Sequence, residues 1–147
     1  MDQKPFTVKD ILQMEVMPAL GCTEPVAIAL GAAAAASILP DGPVEHIDLV
    51  VDPNIYKNGM AVTIPGTGGM TGLDTATAIG VYGGDPSLGL EVLNTLDKEA
   101  LAKAKKLLDR KVIDITLREK SGLYIKTTIT SGPNTAVSLI QELHNNI

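Results

Sequence analysis

The stretch from Val26 to Ile38 constrains the fold more than any other part of the sequence. It consists almost entirely of Ala, Ile, Leu and Gly and includes the alanine run Ala32–Ala36. Alanine is the best helix former, and a helix that is apolar on all sides must be buried. Thr23 is placed to cap this helix, with Glu24 in its first turn. We therefore expect a core built around one helix, whose alanines let neighbouring elements or a partner chain approach closely.

Shorter patterns predict the other elements. The spacing of apolar residues indicates an N-terminal helix that ends before Pro18, a small-residue helix over 71–81 and an amphipathic helix from Asp97 to Leu108. β-branched and alternating residues indicate strands, with a loop over 52–59 between the first two. The predicted strands are 46–51, 61–64, 113–117, 123–129 and 135–140.

These elements predict an α+β fold in two lobes. Residues 1–96 form a helical lobe with the buried Ala-rich helix and a Gly-rich loop. Residues 97–147 form a helix packed on a small antiparallel sheet, in which 113–117 and 123–129 make a hairpin. Charge supports this division, since residues 1–96 carry 3 basic and 11 acidic side chains and residues 97–126 carry 9 and 5.

Composition excludes several classes of function. The formal net charge of -5 and the aromatic content of 3% disfavour a nucleic-acid partner. A secretory leader is not seen, and no uninterrupted apolar stretch reaches the ~18 residues of a membrane span. We therefore expect a cytoplasmic protein that does not enter the membrane. The single cysteine excludes a disulfide within the chain.

That cysteine, Cys22, directly precedes the second predicted helix. The positive end of a helix dipole stabilises a thiolate, so the position suits a metal ligand or a nucleophile. A nucleophile would need a base, and the chain offers His46, His144 and the nearby Glu24. The alternative is a buried structural thiol, because free cysteine is among the most often buried residue types.

The Gly-rich segment Pro65–Gly72, of sequence PGTGGMTG, is the second candidate site. Its backbone N–H groups could surround a carboxylate or phosphate, although it matches neither the P-loop nor the dinucleotide-binding pattern. Close packing of the backbone explains the glycines equally well. In the preceding loop, Lys57 and Asn58 supply a cation and a polar amide near such an anion.

Three blocks of sequence resemble the L-cysteine desulfidase family, which is related to the α chain of iron–sulfur L-serine dehydratase. They are LGCTEPVAIALGAAAA at 20–35, PNIYKNG at 53–59 and IPGTGGMTG at 64–72. The resemblance implies a lyase that eliminates the β-substituent of cysteine or serine, giving pyruvate and ammonia. It further implies a 4Fe-4S cluster with Cys22 as its first ligand.

The same resemblance implies roles for the other motifs. The α-carboxylate of a small amino-acid substrate would lie against Gly66, Thr67, Gly68 and Gly69, with Lys57 and Asn58 as the candidate catalytic residues. One cysteine cannot hold a cluster that needs three thiolates, so this N-terminal portion is expected to be inactive alone. Its expected partner is the C-terminal remainder of the enzyme or a separate subunit, and a homo-oligomer is also compatible. The alternative is a non-catalytic module for small-anion binding or subunit assembly.

Overall fold

Helix α2, Thr23–Ser37, lies at the centre of the computed structural model, which describes residues 6–147. The structure also contains four further α-helices, a 3₁₀ segment over Pro86–Thr95 and a four-stranded sheet. The predicted α+β class is confirmed. The other helices are α1 Val8–Glu15, α3 Pro53–Gly59, α4 Leu73–Gly83 and α5 Lys98–Asp109, and the strands are β1 His46–Val51, β2 Ile113–Leu117, β3 Tyr124–Ser131 and β4 Asn134–Gln141.

Helix α2 is buried as its composition predicts. Val26, Ala27, Ile28 and Ala29 are fully buried, and the helix packs on α4 and on the inner faces of β3 and β4. The contact with α4 is a backbone contact, because a Cβ atom on Gly80 would overlap the main chain of Ala29. Small residues on both helices therefore allow a closer approach than ordinary side chains would.

The sheet is mixed, with strand order β2-β1-β3-β4. β3 and β4 form the expected antiparallel pair. β2 does not pair with β3 as the alternating pattern indicated; it lies parallel to β1, which is antiparallel to β3 on its other edge. β1 is thus a central strand, and its inward side chains Ile47, Leu49 and Val51 are fully buried.

The division into lobes at residues 96 and 97 stays a prediction. β1 comes from the first predicted lobe, yet both of its neighbours in the sheet come from the second. One apolar cluster contains residues from both, among them Ile28, Ile79, Leu107 and Ile129. The site described below draws on both parts of the chain.

Two segments differ from their predictions. Residues Pro53–Gly59 form helix α3 rather than a loop, because Asp52 accepts hydrogen bonds at its N-terminus and Pro53 occupies the first turn. Residues 61–64 contribute only an isolated bridge between Thr63 and Thr71. Helix α1 has a capping box between Thr7 and Asp10. None of the helices within residues 6–147 is long and apolar enough to cross a membrane.

Candidate functional site

Cys22 is the N-cap residue of α2 and is partly buried. Its backbone is extended, and its side chain makes no capping hydrogen bond to the helix. The thiol instead donates to Oε2 of Glu24, with 2.8 Å between sulfur and oxygen. The prediction that Thr23 caps the helix is wrong by one residue, because Thr23 is already the first helical residue. The hydrogen-bond partner of the sulfur is a carboxylate.

The carboxylate determines the protonation of the thiol. The hydrogen bond to Glu24 raises the pKa of Cys22, and desolvation raises it further. This is the reverse of the thiolate that a helix N-terminus favours, because the hydrogen bond to the Glu24 carboxylate outweighs the backbone N–H groups of Glu24 and Thr23, which lower the pKa of the thiol. The hydrogen bond from Cys22 also lowers the pKa of Glu24, to which Asn58 and the charge of His144 contribute.

An open cleft of about 260 Å³ lies beside this pair. Its walls come from α2, from α3 and from the chain that precedes β3 and follows β4. Nδ2 of Asn58 donates to Oε1 of Glu24 at 3.3 Å, so both oxygens of that carboxylate are engaged. The lining residues are Glu24, Asp52, Asn54, Ile55, Asn58, Leu123 and His144.

Asp52 forms the floor of the cleft and is 1% exposed. Its Oδ1 atom accepts the backbone N–H groups of Asn54 and Ile55, at 2.9 and 3.2 Å. Its Oδ2 atom accepts the backbone N–H of Tyr124 at 2.9 Å. These three bonds satisfy a buried carboxylate and fix α3 to β3, so Asp52 positions the cleft rather than offering a free ligand.

The structure separates the two candidate catalytic residues. Asn58 lines the cleft and contacts Glu24, whereas Lys57 is exposed and is not part of the lining. The two are neighbours on a helix, where adjacent positions point in different directions. Of the pair, only Asn58 is brought to Cys22 through the shared carboxylate.

The Gly-rich loop begins next to the Cys22 turn. A Cβ atom on Gly21 would lie 3.1 Å from Cγ of Pro65, so the two turns are in contact. Gly66, Gly68 and Gly69 all have positive φ, at 77°, 73° and 103°, a conformation that glycine adopts without steric cost. None of these residues lines the cleft itself.

Within the loop, Thr67 has a structural role. It is buried, its hydroxyl donates to the carbonyl of Ile64 at 2.7 Å, and the same oxygen accepts the N–H of Met70 at 3.0 Å. Gly66, Gly68 and Gly69 are exposed. A Cβ atom on Gly66 would lie 3.1 Å from Leu96, whereas one on Gly68 or Gly69 would meet no heavy atom within 4 Å. The unobstructed part of the predicted anion cradle is therefore Gly68–Gly69.

From the sequence, two members of the cleft are only possible bases for a nucleophilic Cys22, and neither is a predicted site residue. Glu24 is in the first turn of a helix, where acidic residues commonly serve the dipole, and His144 lies far from Cys22 in sequence. The fold brings His144 to the lining of the cleft, which no local pattern indicates. The structure thus gathers Cys22, Glu24, Asn58 and His144.

Curated relatives match nearly the whole chain. The UPF0597 protein DP0591 of Desulfotalea psychrophila is 60% identical over 142 residues, which are 97% of this chain and 33% of that protein. A UPF0597 protein of Desulfatibacillum aliphaticivorans is 50% identical over 144 residues. The UPF0597 protein YhaM of Salmonella paratyphi C is 49% identical over 138 residues, or 92% of this chain and 31% of YhaM. No family model matches.

These comparisons correct one prediction and state no activity. The chain spans about a third of the length of the curated relatives it matches. The prediction that it is a portion of an L-cysteine desulfidase is wrong, because the relatives that cover 97% of it are named UPF0597 proteins. The three blocks that carried that resemblance are short, whereas these alignments extend over almost every residue.

Proposed function

We propose that this chain supplies one metal-ligating cysteine and a substrate cleft to an amino-acid lyase of the iron–sulfur type. The observation that carries the proposal is the placement of the Cys22 thiol against Glu24, a wall residue of a polar cleft, and beside the Gly-rich loop. The complete enzyme would contain further polypeptide, in keeping with the greater length of the relatives.

The donor set fits a cluster only in part. Cys22 is accessible enough to bind iron, and a metal ion can displace the thiol proton that Glu24 accepts. A 4Fe-4S cluster needs several thiolates, and the chain has one cysteine. The remaining ligands must come from other polypeptide. When bound, such a cluster would supply a Lewis acid for the leaving sulfur or hydroxyl of the substrate.

The residues of the chain suit a zwitterionic substrate. The lowered pKa of Glu24 keeps its carboxylate ionised at neutral pH, where it can hold an α-ammonium group together with Asn58. We place the α-carboxylate at the backbone N–H groups of Gly68 and Gly69, which lie outside the cleft lining and where an added Cβ atom would meet nothing within 4 Å. We assign the substrate to the class of small L-amino acids, with cysteine and serine both compatible.

His144 is the residue of the cleft that we consider for removal of the α-proton. β-Elimination removes the α-proton as the β-substituent leaves with its electron pair, and the aminoacrylate product then hydrolyses to pyruvate and ammonia. An imidazole is suited to take a proton near neutral pH. His144 lines the cleft within electrostatic range of Glu24, and it is our candidate for that base.

Anaerobic reconstitution tests this proposal. The chain is mixed with iron and sulfide, alone and with the part of the Desulfotalea relative outside the matched region. We expect cluster absorbance and pyruvate formation from cysteine or serine only in the mixture. Both should be lost with Cys22→Ser, and a Cys22→Ser mixture that keeps cluster and turnover would remove Cys22 from the site.

A second candidate rests on Gly68–Gly69 alone. An open pair of glycines with positive φ also suits a small-anion-binding or subunit-assembly module without catalysis. Calorimetric titration separates the two candidates. Heat from L-serine or L-cysteine supports the lyase cleft, whereas heat from inorganic phosphate with none from amino acids supports the module.

A further inference from the structure

A second group of ligating side chains lies on the outer face of the sheet, away from the cleft. His46 begins β1, whereas Asp52 of the cleft follows the other end of that strand. Nε2 of His46 is 3.2 Å from Oδ1 of Asp48 and 3.4 Å from Oδ2 of Asp114. One ligand atom from each of the three residues lies within 4.8 Å of the others.

The sheet itself holds these residues together. His46 and Asp48 are two positions apart on β1, so they share a face. Asp114 is the direct neighbour of Asp48 across the parallel pair of β1 and β2. Because β1 is the central strand, hydrogen-bonded on both edges, the three Cα positions are fixed by backbone pairing. The side chains alone need to adjust to a ligand.

The distances match those between ligands of a single small ion. Nitrogen and oxygen ligands bind Zn²⁺ at about 2.0–2.2 Å in a tetrahedral arrangement, which places any two of them roughly 3.3–3.6 Å apart. Both distances from His46 are close to this range. Asp48 and Asp114 lie directly opposite each other on paired strands, so their like charges repel. Within residues 6–147, neither carboxylate forms an ion pair with a lysine or arginine.

We propose that His46, Asp48 and Asp114 bind a first-row divalent transition-metal ion. Imidazole favours an ion such as Zn²⁺ over Mg²⁺ or Ca²⁺, which prefer oxygen ligands alone. The three protein ligands leave the outer coordination positions to water, since all three side chains are solvent-accessible, at 40%, 56% and 72%. The site is separate from the proposed lyase cleft and does not depend on it.

Calorimetric titration with ZnCl₂ tests the site in a Cys22→Ser background, which removes the competing thiol. We expect one ion per chain, and at least a tenfold weaker affinity in His46→Gln and in Asp114→Asn. Asp109→Asn, an exposed acidic position at the end of α5, is the matched control and should bind as the parent does. MgCl₂ should give no comparable heat.

Two results would overturn the proposal. One is unchanged Zn²⁺ binding in both His46→Gln and Asp114→Asn, which would place the ion elsewhere. The other is no binding in the parent, with a loss of thermal stability in His46→Gln, because the imidazole then only bridges two carboxylates. Circular dichroism of every variant confirms that the sheet is intact, and Co²⁺ absorption spectra report tetrahedral coordination even if one variant folds poorly.

Discussion

The backbone N–H of Tyr124 donates a hydrogen bond to the buried carboxylate of Asp52, although the two residues are 72 positions apart. Since Asp52 also caps α3, this one carboxylate joins a helix from the first half of the chain to a strand from the second. It holds the wall that carries Asn58 against the sheet. Stability and cleft geometry therefore depend on the same side chain.

We expect Asp52→Ala to lower the free energy of unfolding by about 3 kcal/mol, since it removes a helix cap and leaves a buried N–H unpaired. Asp97→Ala is the matched control, because Asp97 caps α5 through the N–H of Ala100 at an exposed position. Asp97→Ala should lower the free energy of unfolding by about 1 kcal/mol. Urea unfolding followed by circular dichroism measures both, and equal losses would contradict a linking role for Asp52.

The contact between α2 and α4 predicts a severe effect of Gly80→Ala. Alanine is the better helix former by about 1 kcal/mol, yet its Cβ would meet the backbone of Ala29 at 2.7 Å or less. We expect a net loss of about 3 kcal/mol from overpacking. Gly132→Ala is the control, because a Cβ atom there would meet no heavy atom within 4 Å. The φ of Gly132 is +55°, so this substitution should lower the free energy of unfolding by roughly 1 kcal/mol through backbone strain alone. A neutral Gly80→Ala in thermal unfolding would rule out this close approach.

Two neighbouring hydroxyl groups in the core predict opposite effects. Oγ1 of Thr127 is buried with no hydrogen-bond partner in the described part of the chain. Thr127→Val keeps the shape and should stabilise the fold by about 1 kcal/mol. The hydroxyl of Ser138 donates to the carbonyl of Gly31 at 2.6 Å, so Ser138→Ala should destabilise it by about 1 kcal/mol. Chemical denaturation distinguishes the signs, and a destabilised Thr127→Val would mean that a water or another group satisfies that hydroxyl.

The pair of Cys22 and Glu24 predicts a change in thiol reactivity. In the parent, the carboxylate raises the pKa of Cys22, so the thiolate appears only at a higher pH than for an ordinary thiol. Glu24→Gln removes the charge and should shift the pH midpoint of iodoacetamide alkylation downward. At a fixed pH below that midpoint, the variant should react faster. Glu45→Gln, an exposed position just before β1 at the end of that strand opposite Asp52, should leave the midpoint unchanged, and an upward shift in Glu24→Gln would contradict the assigned cause.

The elements that the sequence predicts well are those with strong local patterns. The apolar helix α2, the amphipathic helix α5 and the pair of β3 and β4 have the predicted positions. The insertion of β1 between β2 and β3 was missed, because alternation reveals a strand and its buried face but not its neighbours. The Asn and Gly content of residues 53–59 favours a loop, whereas Asp52 and Pro53, which are ordinary helix start signals, lead to helix α3 in the structure.

The candidate site shows the same limit. Cys22 and Asn58 lie in motifs that the local sequence identifies, and both side chains donate hydrogen bonds to the carboxylate of Glu24. His144 lines the cleft because of the path that the chain takes after β4. Asp114 lies beside Asp48 because β2 pairs in parallel with β1. Both placements depend on tertiary structure, so the local sequence does not predict them.

The central position of β1 also affects how the chain emerges from the ribosome. The edges of β1 are paired by strands that end at Leu117 and Ser131, many residues after Val51. At translation rates of about 5–20 residues per second, this apolar strand has no edge partner for several seconds. A nascent chain of this protein is therefore a natural client for co-translational chaperones, until synthesis has passed β3.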